Sequence, residues 1–378
     1  MSKRPHSTRL AGHIDEDLVT FEIDTDLVIE PRAEAFLAIA LFLGMSRGRD
    51  IKIDENVPVS GRLVENLHHF QRICRQWNPD FTVRAMNGRF VPPRRQAATL
   101  STFSGGVDSM ATFIRQQQAL THLLVLNIFD RKGDEQPFSE LKTRIGDFTK
   151  MVDKRMIAIE TNAWDVAAKY DMAPEYLHGA FLGSVGAHLG VETYYIPSSY
   201  TYRDLKPWGS HPVLDPLWST ETTTVIHDGA DLRRTEKTAL IAERPELLEH
   251  LQVCWFDKVR NCSRCSKCVR TAITLDLLGV EPNPFARDDA SRDIRRIEIS
   301  SDSSASYVWD IKQLAEEKGR DDVAAAAAAH LRAHVRKRNL YGLVEATLGP
   351  RGTALVNRFR NRPYTGRKVM LRNPDSFV

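Results

Sequence analysis

The chain has 378 residues, 42% of them apolar and 27% charged, and a formal net charge of +3. That length predicts two or three domains, and that composition excludes a disordered chain, a collagen-like repeat and a disulfide-stapled mini-scaffold. No run approaches the about 18 consecutive apolar residues of a spanning helix. Charge rather than an apolar stretch follows Met1-Ser2-Lys3-Arg4-Pro5-His6, so a soluble cytoplasmic protein with no membrane partner is expected. Charge is unevenly spread. Between Leu331 and Asn373 lie eleven arginines and lysines, Arg332 to Arg372, against one acid, Glu345, so this stretch carries +10 and the remainder −7. Such a block serves either as a solvated surface or as an attractant for phosphate polymers.

In chain order, Val19–Asp24 alternates like a strand, Ala33–Phe42 is apolar enough for a buried helix, and Asp50–Asp54 alternates again. Val64–Trp77 has helical spacing through Val64, Leu67, Phe70 and Cys74, and Phe81–Ala85 reads as extended. Pro92-Pro93-Arg94-Arg95 predicts a linker, which makes residues 1–95 a small α/β domain. From Ala97 the rhythm becomes strand, glycine turn, helix, strand. Strands are predicted at Ala98–Phe103, His122–Phe129, Arg155–Glu160 and Thr193–Pro197, with helices at Val107–Gln118, Ser139–Val152 and Pro174–Leu189. Alternating strands and helices predict a doubly wound, mainly parallel α/β sheet over residues 96–280. Residues 281–378 read as a helical, basic extension whose six alanines, Ala324–Ala329, favour helix but offer little to pack.

The segment Ser104-Gly105-Gly106-Val107-Asp108-Ser109 falls between a predicted strand and a predicted helix. The first turn of a helix offers unpaired N–H groups and the positive end of a dipole, and two glycines let backbone approach an anion closely. Ser104 and Ser109 add hydroxyls, and Asp108 can hold the loop or help place Mg²⁺. At about 5% per fixed residue type, five such positions arise by chance in roughly one protein of this length in ten thousand. No Gly-Lys-Ser/Thr follows, as a Walker loop would need, and the glycines lack dinucleotide-fold spacing.

The second cluster is Cys254, Cys262, Cys265 and Cys268, four of the five cysteines within one short stretch. Two x2 spacings bring three thiolates to one ion, and Cys254 can complete a tetrahedron. Lys258, Arg260, Arg264, Lys267 and Arg270 stand around them and would offset the charge of the metal-bound thiolates. Zinc is favoured over an iron–sulfur cluster because no Cys-Pro follows Cys268, although a ligand from elsewhere leaves a cluster open.

The sequence SGGVDS resembles the signature of the PP-loop ATP pyrophosphatases, with their adenine nucleotide α-hydrolase-like fold. That resemblance implies cleavage of ATP to AMP and pyrophosphate, with Ser104, Gly105, Gly106, Val107, Asp108 and Ser109 binding the pyrophosphate. Together with the later cysteines the chain is similar to 7-cyano-7-deazaguanine synthase-like proteins over about residues 96–280. This second resemblance implies an AMP-forming ligase that adenylates a carboxylate or amide oxygen and transfers nitrogen to it, with a structural zinc. It also implies that Lys237, supported by Arg234 in Arg233-Arg234-Thr235-Glu236-Lys237, neutralises ATP phosphates. The chain departs from that pattern in its long terminal regions and at Ile196-Pro197-Ser198-Ser199-Tyr200, so the deazaguanine substrate does not carry over.

Asp130, after the second core strand, is a candidate for touching nucleotide or Mg²⁺, and equally a turn former. Ser198–Asp215, with Tyr200, Tyr202, Arg203, Asp204, Trp208 and His211, reads as an acceptor-recognition loop. His178 is a helix histidine near the expected cleft, His68-His69 read as surface, and Cys74 as a buried helix residue. Residue 2 is Ser, so ammonia or a separate donor is the expected nitrogen source. Two alternatives stay open: a sulfur-transferring enzyme with an iron–sulfur cluster, and a non-catalytic nucleotide-binding adaptor. The acceptor, a macromolecular one (protein or RNA) included, is left open, as is a homodimer.

Overall fold

The computed structural model describes residues 6–127, 138–254, 256–257, 260–286, 289–299 and 302–358. Two compact units divide the chain, Met1–Cys262 and Ser263–Val378. The first unit is α/β. Its strands are β1 (His6–Ile14), β2 (Asp17–Thr25), β3 (Ile51–Lys52), β4 (Pro58–Val59), β5 (Met86–Asn87), β6 (Arg89–Phe90), β7 (Gln96–Thr102), β8 (His122–Leu126), β9 (Arg155–Thr161), β10 (Val191–Pro197) and β11 (Thr224–Asp228). Its helices are α1 (Leu37–Arg47), α2 (Gly61–Trp77), α3 (Val107–Gln116), α4 (Phe138–Met151), α5 (Ala163–Lys169), α6 (Pro174–Leu189), α7 (Arg234–Ala242) and α8 (Pro245–Leu248).

Seven strands form one sheet in the order β1-β2-β9-β8-β7-β10-β11. From β9 to β11 every pairing is parallel, whereas β1 on β2 and β2 on β9 are antiparallel. The five parallel strands leave β7 in two opposite directions, toward β8 and β9 on one side and toward β10 and β11 on the other. The order therefore reverses between β7 and β10, and a crevice opens at their carboxyl ends. Both faces are covered. At the end of β11, Asp228 accepts a hydrogen bond from Thr112 of α3 on one side, while neighbouring His227 reaches Asp215 on the other. Strand residues that alternate faces make this reading direct.

The linker at 92–95 does not separate two bodies, because the first unit runs across it. Residues 1–95, expected as a separate small domain, instead extend the sheet. Strand β1, which the sequence reading missed, turns into β2 through Asp15 (φ 52°), and Val19, Phe21 and Ile23 of β2 bury their side chains in the core. Further on, buried Asp26 accepts from His122 Nε2 at 3.0 Å and from Arg155, tying this segment to β8 and β9. Burial pulls the His122 pKa down despite that carboxylate. Arg32 and Glu34, both buried, pair at 2.9 Å, and Arg32 also donates to the carbonyl of Val91 at 2.6 Å.

Helix α6 is apolar all round and lies inside the unit, where it needs room rather than amphipathicity. Gly183 provides that room: a Cβ there would sit 2.2 Å from Cγ of buried Trp218.

The second unit contains α9 (Ser266–Leu277), α10 (Ala290–Asp293), α11 (Asp302–Glu317) and α12 (Asp321–Arg358). Val269, Ile273, Ile294, Val308 and Ile311 share a core with Val323, Ala324 and Ala327. The alanine run, expected to have little to pack, thus puts two small residues where helices meet. Arg332, Arg336 and Lys337 on α12 are exposed, and the basic side chains from Arg351 to Arg372 lie outside the described residues.

Replacing Gly183 with Leu should force Trp218 out of its seat and destabilise the first unit by about 1–3 kcal/mol or more. Denaturant unfolding followed by tryptophan fluorescence measures this, and an unchanged midpoint would contradict the packing.

Candidate functional site

The loop after β7 closes on itself with few strong bonds. The carbonyl of Gly105 accepts from the Gln252 amide at 2.8 Å, and Phe103 N–H donates to Leu124 at 2.7 Å. Between these anchors, Ser109 Oγ accepts from Ser104 N–H at 3.3 Å, and Ser104 Oγ accepts from Gly106 N–H at 3.4 Å. Both are long, so these amides and hydroxyls are weakly engaged. Gly105 has φ +76°, a left-handed conformation that costs a side-chain-bearing residue free energy. A Cβ there would also meet Arg144 Nη1 at 2.7 Å. Gly106 precedes the first helical residue of α3, and among the described residues no side chain caps that helix. The first-turn amides therefore face the crevice without a capping acceptor.

Asp108, in the first turn of α3, accepts from Arg234 Nη1 at 2.5 Å and from Lys237 Nζ at 3.2 Å. Lys237 Nζ also donates to the Ser198 carbonyl at the end of β10, at 2.6 Å. The two cations stand three apart at the start of α7 and so share a face. Glu236 caps that helix, its carboxylate accepting from Arg233 N–H at 2.6 Å, which fixes where the first turn points. Lys237 is buried, and burial pulls its ammonium pKa down while Asp108 pushes it back up. Behind the loop, Thr112 and Gln116 of α3 both donate to Asp228, at 2.8 and 3.2 Å, locking α3 to the end of β11.

The structure thus brings Ser104, Gly105, Gly106, Val107, Asp108, Ser109, Arg234 and Lys237 together at the reversal point of the sheet. Asp130 lies outside the described residues. Arg144 of α4 was not anticipated. Its Nη2 donates to the Ser104 carbonyl at 3.1 Å, and its buried Nε has no hydrogen-bond partner among the described residues. Burial lowers its pKa to about 10. One arginine on a helix face with no motif around it gives no sequence signal. Only the fold brings it under the glycines.

The loop from Ser198 to Asp215 sorts into two groups. Lys206 Nζ sits 4.8 Å from the Tyr200 ring and 4.7 Å from the Trp208 ring, with His178 against Trp208 at 5.0 Å. Burial lowers the pKa of both Lys206 and His178. Buried Asp215 accepts from Ser210 Oγ, the His211 amide and His227 Nδ1 at 2.8, 3.1 and 2.6 Å. Tyr202 points to solvent, and Arg203 pairs with neighbouring Asp204 at 3.2 Å. Cys74 is buried in α2, as read from its spacing.

The Sγ atoms of Cys254, Cys262, Cys265 and Cys268 all lie within 4.8 Å of one another. Cys254 Sγ accepts from Phe256 N–H at 3.4 Å, and Cys265 Sγ from Cys268 N–H at 3.5 Å, at the start of α9. Ser263, with φ +54°, bends the chain between the second and third cysteines. Four sulfurs this close fit a single tetrahedrally held metal ion, or a cluster. Of the expected cations, Lys258 lies outside the described residues, and Arg270 stacks on Tyr307 at 3.9 Å.

No family model, no curated protein and no solved structure matches the chain. Among the described residues, no helix is long and apolar enough to cross a membrane.

Cys268→Ser should remove one thiolate of the four and abolish stoichiometric metal retention. Elemental analysis of the purified chain reads this directly; equal metal content in wild type and variant would rule the four-sulfur site out.

Proposed function

We propose that the chain is an ATP-dependent, AMP-forming ligase. In this reading a carboxylate or amide oxygen of the acceptor attacks the α-phosphorus of ATP and displaces pyrophosphate. Ammonia, free or handed over by a donor protein, then attacks the adenylated carbon; AMP leaves, and the attacking nitrogen loses its proton. Little of this needs an acid–base residue in the chain, since adenylation depends chiefly on positioning and charge neutralisation.

One observation carries the reading. A diglycine turn and a helix start uncapped among the described residues stand at the reversal point of a mainly parallel sheet, and buried Lys237 and partly buried Arg234 are held against that turn by Asp108. An anion is the ligand this arrangement suits best, and the polyphosphate of ATP would offer its charge to the first-turn amides and to both cations. Arg144 supports the same reading, because its guanidinium props the turn from below. Asp108 is the carboxylate of the loop that would share Mg²⁺ with the phosphates. The resemblance of SGGVDS to PP-loop enzymes, and of the whole to 7-cyano-7-deazaguanine synthase-like proteins, agrees with it. Zinc is the metal proposed for the four cysteines, as a structural ion whose site keeps no open position.

The proposal is tested by calorimetry with Mg²⁺ and α,β-methylene-ATP, which cannot lose pyrophosphate. One site per chain is expected. Lys237→Met should weaken binding by roughly ten- to hundredfold, the worth of one charge-assisted hydrogen bond. No heat of binding in the wild type would sink the proposal. A colourless, zinc-containing protein is expected; a brown one with broad visible absorbance would favour the sulfur-transfer alternative.

A pH dependence follows from the lowered Lys237 pKa. Phosphate affinity needs the protonated ammonium, so affinity is lost as pH rises through that pKa. Asp108→Asn removes the carboxylate that raises it, so the loss should begin at lower pH than in the wild type. An unshifted profile would show that Lys237 does not meet the phosphates.

A further inference from the structure

Away from the phosphate-facing crevice, a cavity of about 830 Å³ lies beside the outer edge of the main sheet. One wall is formed by residues 9–15, in β1 and the turn after it. The other is residues 49–54, which include β3. Partly exposed Phe36 and Ala40, with Leu43, line it between the walls.

Both walls present open strand edges. Strand β1 pairs with β2 in the register Arg9↔Glu22, Ala11↔Thr20 and His13↔Leu18. Thr20 N–H donates away from β1, to Asn162, and the Leu18 carbonyl accepts from Asn162 as well. These are therefore the non-hydrogen-bonded pairs, and the amides and carbonyls of Arg9, Ala11 and His13 point outward. Among the described residues nothing hydrogen-bonds them. On the other wall, Ile51 N–H and Ile53 N–H both donate toward the β5 side, to Ala85 and Asn87, at 2.8 and 2.9 Å. Alternation leaves the amide and carbonyl of Lys52 on the opposite edge, toward the cavity. An exposed ion pair between Arg49 and Asp15 links the two walls at the hairpin end.

We propose that this slot binds an extended peptide segment of another protein, inserted as a strand between β1 and β3. Arg9, Ala11 and His13 offer a row of outward amides and carbonyls on one wall and Lys52 offers one such pair on the other, a pattern complementary to a polypeptide backbone. A second copy of β1 does not fit, because its other edge is already occupied by its own β2; only a segment with both edges open enters. The six β1 residues of that wall, Arg9–Ile14, span about 20 Å, the length of a six-residue strand. Alternate side chains of the guest would lie over Phe36 and Ala40, which favours apolar residues at every second position.

The test uses the full chain and a fluorescein-labelled heptapeptide of alternating valine and threonine, read by fluorescence anisotropy. Saturable binding is expected, with hydrogen exchange slowed at Ala11 and Lys52. N-methylation of alternate peptide amides should weaken it by roughly tenfold or more. Ala11→Pro removes only an outward N–H and should weaken it similarly, with thermal unfolding and circular dichroism reporting that the hairpin persists. The proposal is overturned if no saturation appears up to about 1 mM, the weak limit of specific binding. It is equally overturned if binding ignores both N-methylation and Ala11→Pro. Exchange at β1 that slows with protein concentration alone would assign the edge to self-association instead, and that too overturns it.

Discussion

A single carboxylate organises the crevice. Asp108 binds Arg234 and Lys237, and Lys237 in turn binds the backbone at the end of β10. Three pieces of chain that meet nowhere else in sequence (the turn after β7, the end of β10 and the start of α7) are thereby pinned to one point. Two cations held this close to each other, one of them almost wholly buried, would repel and shed a proton without it. Removing one partner of such a buried set typically costs about 3–5 kcal/mol, far more than a surface pair is worth. Asp108 therefore sets the shape of the crevice as much as its charge, and the pull on the anion proposed to bind there would depend on both.

The fold around it works to keep that point rigid. Thr112 and Gln116 hold α3 to Asp228, so the helix whose first turn opens onto the crevice cannot slide along the sheet. Gly183 lets α6 settle directly against buried Trp218, a contact with no room for a side chain at that position. The turn itself stays loosely bonded. Its internal hydrogen bonds are long, and a phosphate could replace them at little cost.

What was legible in the sequence follows the strength of local signals. The parallel strands His122–Leu126 and Arg155–Thr161 are nearly continuous apolar runs, and the helices α2, α3 and α6 carry clear periodicity or length, so their places were predictable. The glycine turn and the cysteine spacing are chemical patterns that need no tertiary context. Strand β1 was missed because His6-Ser7-Thr8-Arg9 shows no alternation and its buried positions, Leu10 and Ile14, are few. The boundary near residue 95 was inferred from two prolines, yet those prolines only bend the chain between parts of one unit. Arg144 and the Asp215–His227 contact were invisible because each depends on residues brought together from distant elements. The alanines of α12 were misjudged for a related reason: small residues pack well where helices come close, and that closeness is not written in their own stretch.

The pairing of Asp26 with His122 and Arg155 bears on how far this protein can be trimmed. A shortened chain beginning at Gln96 would retain every residue of the glycine turn and its cations. It would also strip the neighbour from β9, leaving a bare strand margin open to clumping, and would leave a histidine inside the sheet facing emptiness. The portion that carries the whole proposed site is for that reason not expected to live alone.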